Sequence, residues 1–141
     1  MAVSFTKYTS YDQYVHSEII DLNNTGKVML ALVTSSYTFS AAHTVWGDVS
    51  ANEVATGDGY TTGGVALASL SVNSTRFDSA DPSWTGLTKV FRYGVLYINE
   101  TVNGIVKPLI GCILFDTTPA NITMTGGTFT CQVDSDGWIT F

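Results

Sequence analysis

The side chains best suited to nucleophilic or acid–base chemistry are few, and they are spread along the chain. The sequence holds two histidines and two cysteines: His16, His43, Cys112 and Cys131. A histidine beside a thiol could act as the base that activates a cysteine nucleophile. However, Cys112 lies within the apolar run PLIGCILF and Cys131 at an inward position of an alternating segment, and both settings are typical of buried structural cysteines. The sequence therefore predicts no catalytic residues, and it holds no recognised catalytic or phosphate-binding motif.

Metal binding and disulfide formation are the other chemistries that these residue types allow. Two carboxylate pairs, Asp78 with Asp81 and Asp134 with Asp136, could present oxygens to a hard cation. Both pairs also lie where aspartate normally caps a turn, so the sequence predicts neither a metal nor any other cofactor. The cysteines could be bonded if their strands were neighbours. The chain begins MAVSFTKYTSYD, without the features of a signal peptide, and we therefore expect reduced thiols.

Composition limits the class of protein. The chain has 141 residues, of which 45% are hydrophobic and 13% charged, and this balance predicts one folded domain with a substantial core. The formal net charge of −6, with only six lysines and arginines, disfavours nucleic acid as a partner. No run of 18 apolar residues occurs, so we expect no membrane-spanning segment.

One helix is predicted near the N-terminus, over residues 10–22. Its apolar residues recur at spacings of three and four, as one face of an amphipathic helix requires; they are Tyr11, Tyr14, Val15, Ile19 and Leu22. Ser10 and Gln13 have the spacing of a capping box. The turn residues of 23–26 predict the end of the helix.

From Lys27 onward the pattern indicates strands separated by turns. Short strands are predicted at 27–33, 65–72, 90–99, 108–115, 127–133 and 138–141. The segment 90–99 is apolar on both faces and should be central, while Asn103-Gly104 and 134–137 are typical of hairpin turns. We therefore predict a mainly β single domain, an antiparallel β-sandwich of jelly-roll type with one N-terminal α-helix. Residues 1–26 would form an arm and helix, and residues 27–141 the sandwich.

Two segments carry aromatic residues without strand periodicity. They are residues 2–9 and a stretch of about thirty residues, 35–64, in which Ser50 and Glu53 offer a second capping box around a brief helical turn. Such rings either pack on the chain's own sheet or bind a partner. The partner-binding hypothesis names Phe5, Tyr8, Tyr37, Phe39, Trp46 and Tyr60.

Several segments, in this order, resemble a family of small structural proteins of tailed bacteriophages. They are KVMLALVTSSYT, GDVSANEVATGDGYTTGG, DSADPSWTG, RYGVLYIN, PLIGCILFD and SDGWITF. The most specific pieces are the glycine-rich loop of 52–64 and the strand and PLIG segment of 92–111. The resemblance implies a virion protein that is made in the host cytoplasm and acts as a decoration or cement protein on the outer surface of the head.

The same resemblance implies the partners, namely the major capsid protein and further copies of the chain in a homotrimer, and it implies no enzymatic activity. One alternative is a tail, neck or fibre component, including a receptor- or glycan-binding module built from loop aromatics such as Tyr37, Trp46, Tyr60 and Trp84. A small hydrolase is a second alternative, which the scarcity of His, Cys and Glu disfavours.

Overall fold

A computed structural model describes residues 3–141 and shows a mainly β protein, with 42% of residues in strands and 9% helical. The single α-helix of this range is α1 (Ser10–His16), and the predicted fold class, β-rich with one N-terminal helix, is confirmed. The strands are, in chain order, β1 (Ser4–Lys7), β2 (Val28–Val33), β3 (Val65–Ala66), β4 (Ser71–Val72), β5 (Arg76–Asp78), β6 (Ser83–Phe91), β7 (Tyr93–Ile98), β8 (Thr101–Val102), β9 (Ile105–Val106), β10 (Leu109–Leu114), β11 (Ile122–Thr130) and β12 (Ile139–Thr140).

The largest sheet has five antiparallel strands in the order β1-β10-β7-β2-β3. β2, β7 and β10 form its middle, and almost all of their residues are buried. Within the segment 90–99, which was predicted to be central, residues 93–98 form β7, and β7 is central because it pairs with β10 on one side and β2 on the other. Apolar residues on both faces of these strands require that both faces of the sheet be covered.

Strands β5, β6, β11 and β12 contribute side chains to the core on one face of this sheet. β11 pairs with β6, β12 and β4 pair with β5, and β8 and β9 form a short hairpin. The main core lies between the layers, where Leu30, Leu96 and Ile113 of the large sheet pack with Phe91 and Phe77 of the others. The result is a sandwich-like arrangement.

The other face is covered by the segment between β2 and β3. Val33 forms an isolated bridge with Glu53, and two short 3₁₀ turns, Trp46–Asp48 and Ser50–Asn52, hold the segment against the sheet. A second cluster, which includes Val95 and Tyr97 of β7, lies beneath it. The long aperiodic stretch therefore lies on the chain's own sheet.

Arg92 marks the point at which the chain passes from one layer to the other. Phe91 ends β6 in the main core, and the next inward residue of β7 on that side is Gly94. The Arg92 amide donates to the Val33 carbonyl (2.9 Å). The prediction of one continuous strand over 90–99 is therefore wrong, because residues 90–91 and 93–98 belong to different sheets.

The helix is shorter than its apolar pattern predicted. It ends at His16, and Glu18 takes a positive φ of 59°, while the amides of Ile19 and Ile20 both donate to the carbonyl of Tyr14. The later apolar residues are still buried, but from an irregular segment. The predicted capping box is also wrong: Thr9 is the N-cap residue, and within the described range the Ser10 hydroxyl is buried without a hydrogen-bond partner.

Two further corrections concern the ends of the chain. The predicted hairpin of 127–133 with 138–141 is wrong, because β11 pairs with β6 whereas β12 pairs with β5. The turn over 134–137 does exist, and it carries the chain between sheets. Of the proposed arm 2–9, Ala2 lies outside the described residues, and residues 4–7 are β1 of the large sheet rather than a projecting segment.

Candidate functional site

The six aromatic residues predicted to bind a partner divide between the two faces of the large sheet. Tyr8, Tyr37 and Trp46 belong to the second cluster, and Phe39 packs against it. Tyr60 lies in the main core on the opposite face of the sheet, and Phe5 packs against the same core. We call the first group, Tyr8, Tyr37, Phe39 and Trp46, the outer aromatic cluster.

Ring contacts hold the outer aromatic cluster onto the sheet. Trp46 stacks on Tyr97, with ring centroids 4.4 Å apart and planes 10° from parallel. Tyr37 meets Tyr93 edge-on at 5.5 Å, and Phe39 lies 5.4 Å from Tyr8. Contacts of this kind stabilise a core beyond the burial of area alone.

These rings are much less exposed than the partner-binding hypothesis assumes. The exposed fractions are 1% for Tyr8, 3% for Tyr37 and 6% for Trp46, and only Phe39 of this cluster is half-buried. Tyr60 and Trp84 are buried as well, so the premise of an exposed ring site in these loops is wrong. That these residues contact a partner stays a prediction, but the exposure of the rings, which motivated the prediction, is absent.

A hydrogen-bonded chain of side chains runs through the outer aromatic cluster. The hydroxyls of Tyr8 and Tyr37 lie 3.0 Å apart, and the Tyr37 hydroxyl lies 2.8 Å from Nδ1 of His43. Burial raises the pKa of Tyr8 far above its usual value, and the nearby Cys112 and Tyr37 raise it further. The chain therefore serves to satisfy hydroxyls that the fold removes from water.

Tyr60 fixes the glycine-rich loop through a carboxylate. Its hydroxyl donates to Oε2 of Glu53 (2.7 Å) and accepts from the Leu32 amide (3.1 Å). The same Glu53 oxygen accepts from the Gly63 amide at 2.7 Å. Burial, followed by the hydrogen bond to Glu53, raises the pKa of Tyr60. Sequence reasoning gave Glu53 a capping role, whereas the structure uses it to join loop and sheet; the helical turn at Ser50–Asn52 has no side-chain cap.

Both cysteines are free thiols within the core. Burial raises the pKa of Cys112 to about 12 and that of Cys131 to about 12. Thiols with such pKa values are protonated near neutral pH, and the protonated form is a poor nucleophile.

Three of the four paired aspartates accept hydrogen bonds from backbone amides in this structure. Asp78 accepts from the Ser79 amide, Asp81 from the Val133 amide, and Asp134 from the Asp136 amide, at 2.8 to 2.9 Å. Among residues 3–141, no group of three or more His, Cys, Asp or Glu side chains could hold a metal ion.

Two open grooves flank β1, one of the two edge strands of the large sheet. The larger groove, of about 450 Å³, has Phe5, Ile113 and Trp138 among its lining residues and Asp134 and Ser135 beside them. The smaller groove, of about 200 Å³, lies on the other face of the strand, the face of the Ser4 and Thr6 side chains. Its lining residues are Ser4, Thr6, Phe39, Tyr93, Cys112 and Leu114. Sequence patterns missed both grooves, since their walls come from segments more than a hundred residues apart.

The grooves differ from the outer aromatic cluster in being accessible. Val3, which lines the larger groove, is 59% exposed, and Phe5 is half-buried. Asp134 of this groove and the nearby Asp136 are exposed, and both contribute to the net charge of −6. The edge of β1 with its two grooves is therefore the candidate functional site.

Comparisons with known proteins identify no family for this chain. No protein-family model, no curated protein and no solved structure matches the chain. In the part of the chain that the structure describes, no helix is long and apolar enough to cross a membrane. The resemblance to phage structural proteins stays a prediction from the sequence.

Proposed function

We propose that the chain is a bacteriophage virion structural protein that acts by binding: a decoration or cement protein on the outer surface of the head. Its partners would be subunits of the major capsid protein and further copies of itself, in a homotrimer. The observation that carries the proposal is the exposed edge of β1 with an open groove on each face, each lined by both apolar and polar residues. The sequence resemblance supplies the virion as the setting.

The rest of the fold supports a binding role. The large sheet is covered on both faces, so β1 is carried by a rigid support. The thiols are buried with raised pKa values, and Asp78, Asp81 and Asp134 accept hydrogen bonds from backbone amides. The accessible features that remain are the edge of β1 and its two grooves, and another protein could contact both.

Cementing follows from mass action. A protein that binds only the assembled shell adds its binding free energy to that state and so stabilises it. Contacts across subunit seams are formed only there. The negative charge favours basic patches on the shell, and attraction of this kind weakens as salt increases.

The test uses heads purified from a phage in which this gene is deleted. We expect the added protein to bind the heads at saturable occupancy and to raise the temperature at which they open. A gold label should appear over the head in negative stain. Label over the tail or neck would replace this proposal with the alternative of a tail component, and the absence of binding to any particle would refute the virion role.

The homotrimer is tested on the same preparation. Sedimentation velocity should show a species three times the 15.1 kDa chain mass. A monomer at every concentration, with no association on heads, would contradict the self-association part of the proposal.

A further inference from the structure

We propose that β1 receives an added strand: an extended, basic segment of another protein pairs with its outer edge. The inference rests on the proposed function, since it specifies how the chain would contact a shell protein. Proteins commonly recognise extended peptides in this way, with main-chain hydrogen bonds giving affinity and side-chain pockets giving specificity.

The register of β1 shows which backbone groups face outward. The Tyr8 amide donates to the Ile110 carbonyl at 3.1 Å, and Thr6 is paired with Cys112. In an antiparallel ladder, alternate residues direct both backbone groups to the partner strand, so Phe5 and Lys7 direct theirs away from β10. Among residues 3–141, no strand pairs with this outer side.

The next outward residue of the chain shows that this side accepts backbone partners. The Thr9 amide donates to the Ala41 carbonyl at 2.9 Å, immediately beyond the end of β1. An added strand would continue this line of hydrogen bonds toward Phe5. Its backbone would form hydrogen bonds with the outward N–H and C=O groups of Lys7 and Phe5.

The two grooves supply the side-chain recognition. Successive side chains of a strand point to opposite faces, so an added strand would direct alternate residues toward the two grooves. The larger groove, with Phe5 and Trp138, suits an aliphatic or aromatic side chain. The smaller groove has about half the volume and suits a smaller residue.

Charge favours a basic partner over a second copy of this chain. Asp134, which lines the larger groove, is exposed, and so is Asp136 two residues later in the same turn. The one cation of β1, Lys7, forms an ion pair with Asp12 at 3.2 Å. A second copy would bring another net charge of −6 to the same surface, whereas a segment with Lys or Arg would be attracted to it.

The key variant is Lys7→Pro, which removes an outward N–H that the pairing with β10 does not use. Proline is tolerated on edge strands when its missing N–H faces solvent. Lys7→Ser is the matched control, since it removes the charge and keeps the N–H. A random library of displayed peptides of about ten residues is selected on the wild-type chain, independently of any virion.

We expect the selected peptides to alternate apolar with other residues and to be enriched in Lys and Arg. Lys7→Pro should weaken their binding at least about tenfold, and Lys7→Ser less than about threefold. In the wild-type protein, hydrogen exchange at the Phe5 and Lys7 amides should slow when peptide binds; this measurement does not depend on the stability of the proline variant. Peptides without basic residues, equal binding by Lys7→Pro, or unchanged exchange at both amides would each overturn the proposal.

The same variants added to heads separate this inference from the proposed function. If wild-type and Lys7→Pro proteins occupy heads equally, the cement role stands and strand addition is refuted. If peptides bind as expected but heads do not bind, strand addition stands and the head location is refuted. Self-association that Lys7→Pro abolishes would assign the edge to a second copy and overturn the basic partner.

Discussion

Replacement of Trp46 by alanine tests whether the segment over the outer face belongs to the core of the fold. Trp46 is 6% exposed and stacks on Tyr97, which is itself buried. Removal of a buried tryptophan side chain typically costs about 3–5 kcal/mol, because the transfer free energy is lost and a cavity remains. For a chain of this length the entropy of unfolding is about 0.3 kcal/mol/K, so we expect the melting temperature to fall by about 10–17 °C.

Trp46→Phe is the matched control for this experiment. Phenylalanine keeps a ring over Tyr97 and loses less volume, so we expect a loss of about 1–2 kcal/mol, or about 3–7 °C. Thermal unfolding followed by circular dichroism and urea unfolding followed by the fluorescence of the remaining tryptophans measure both variants.

Two results would refute the reasoning about Trp46. A fall of less than about 3 °C for Trp46→Ala would show that this segment is not part of the cooperative core. Normal stability combined with loss of binding to heads would instead favour the hypothesis that Trp46 contacts a partner. We expect the fraction of Trp46→Ala that is folded to bind heads as the wild type does.

Three further perturbations test the packing described above. Gly64→Ala should lower the free energy of unfolding by several kcal/mol, because the added Cβ would collide with a backbone carbonyl of β2. Gly26→Ala is the control: Gly26 has a similar positive φ but open space around it, so the loss should be only about 1 kcal/mol. Urea unfolding measures both variants, and equal losses would contradict the close approach of Gly64 to β2. Glu53→Gln should destabilise the fold by about 1–3 kcal/mol in urea unfolding, because the carboxylate accepts two hydrogen bonds, and no change would refute its role in fixing the loop. Burial raises the pKa of Cys112 and of Cys131 from 9.0 to about 12, so the unfolded state loses these protons at lower pH than the folded state does. The free energy of unfolding should therefore keep this contribution in full below about pH 9 and lose it as the pH rises toward about 12. In urea unfolding, a variant with both cysteines changed to alanine should show a shallower decline over this range.

The regular strands were predictable from the sequence because their residues obey simple periodicity. β2, β7 and β10 are short apolar runs, and a strand with apolar residues on both faces must be central. The two-residue hairpin at Asn103 and Gly104 was equally predictable, since both residues adopt the positive φ that this turn requires.

β6 shows why other strands escaped prediction. Its buried residues Trp84, Leu87 and Phe91 are spaced by three and four, which is the period of a helix and not of a strand. The spacing of three arises at a shift of register in the pairing with β11, where the step from Trp84 to Leu87 lies opposite the shorter step from Phe129 to Gly127, and this shift depends on the partner strand. Sequence periodicity alone does not contain that information.

The candidate site was less predictable than the fold. Sequence reasoning identified Phe5 and Tyr8 as important but assigned them to an arm, because the four-residue strand β1 is too short for a periodic signal. Its partner β10 lies near the other end of the chain. The grooves arise from that long-range pairing, and a lining such as Phe5 with Trp138 has no local signature.

The pairing of β1 with β10 also sets the order in which the site comes into existence. Ser4 pairs with Leu114, about 110 residues later. At ordinary rates of translation the ribosome needs roughly 5–20 s to make that length of chain, so the first strand synthesised must wait for its partner. β2 and β7 are both complete before β10 is made, and they can pair earlier. The edge that we propose for binding therefore exists only after nearly the whole chain has emerged, and we expect an unfinished chain to be unable to engage a partner through it.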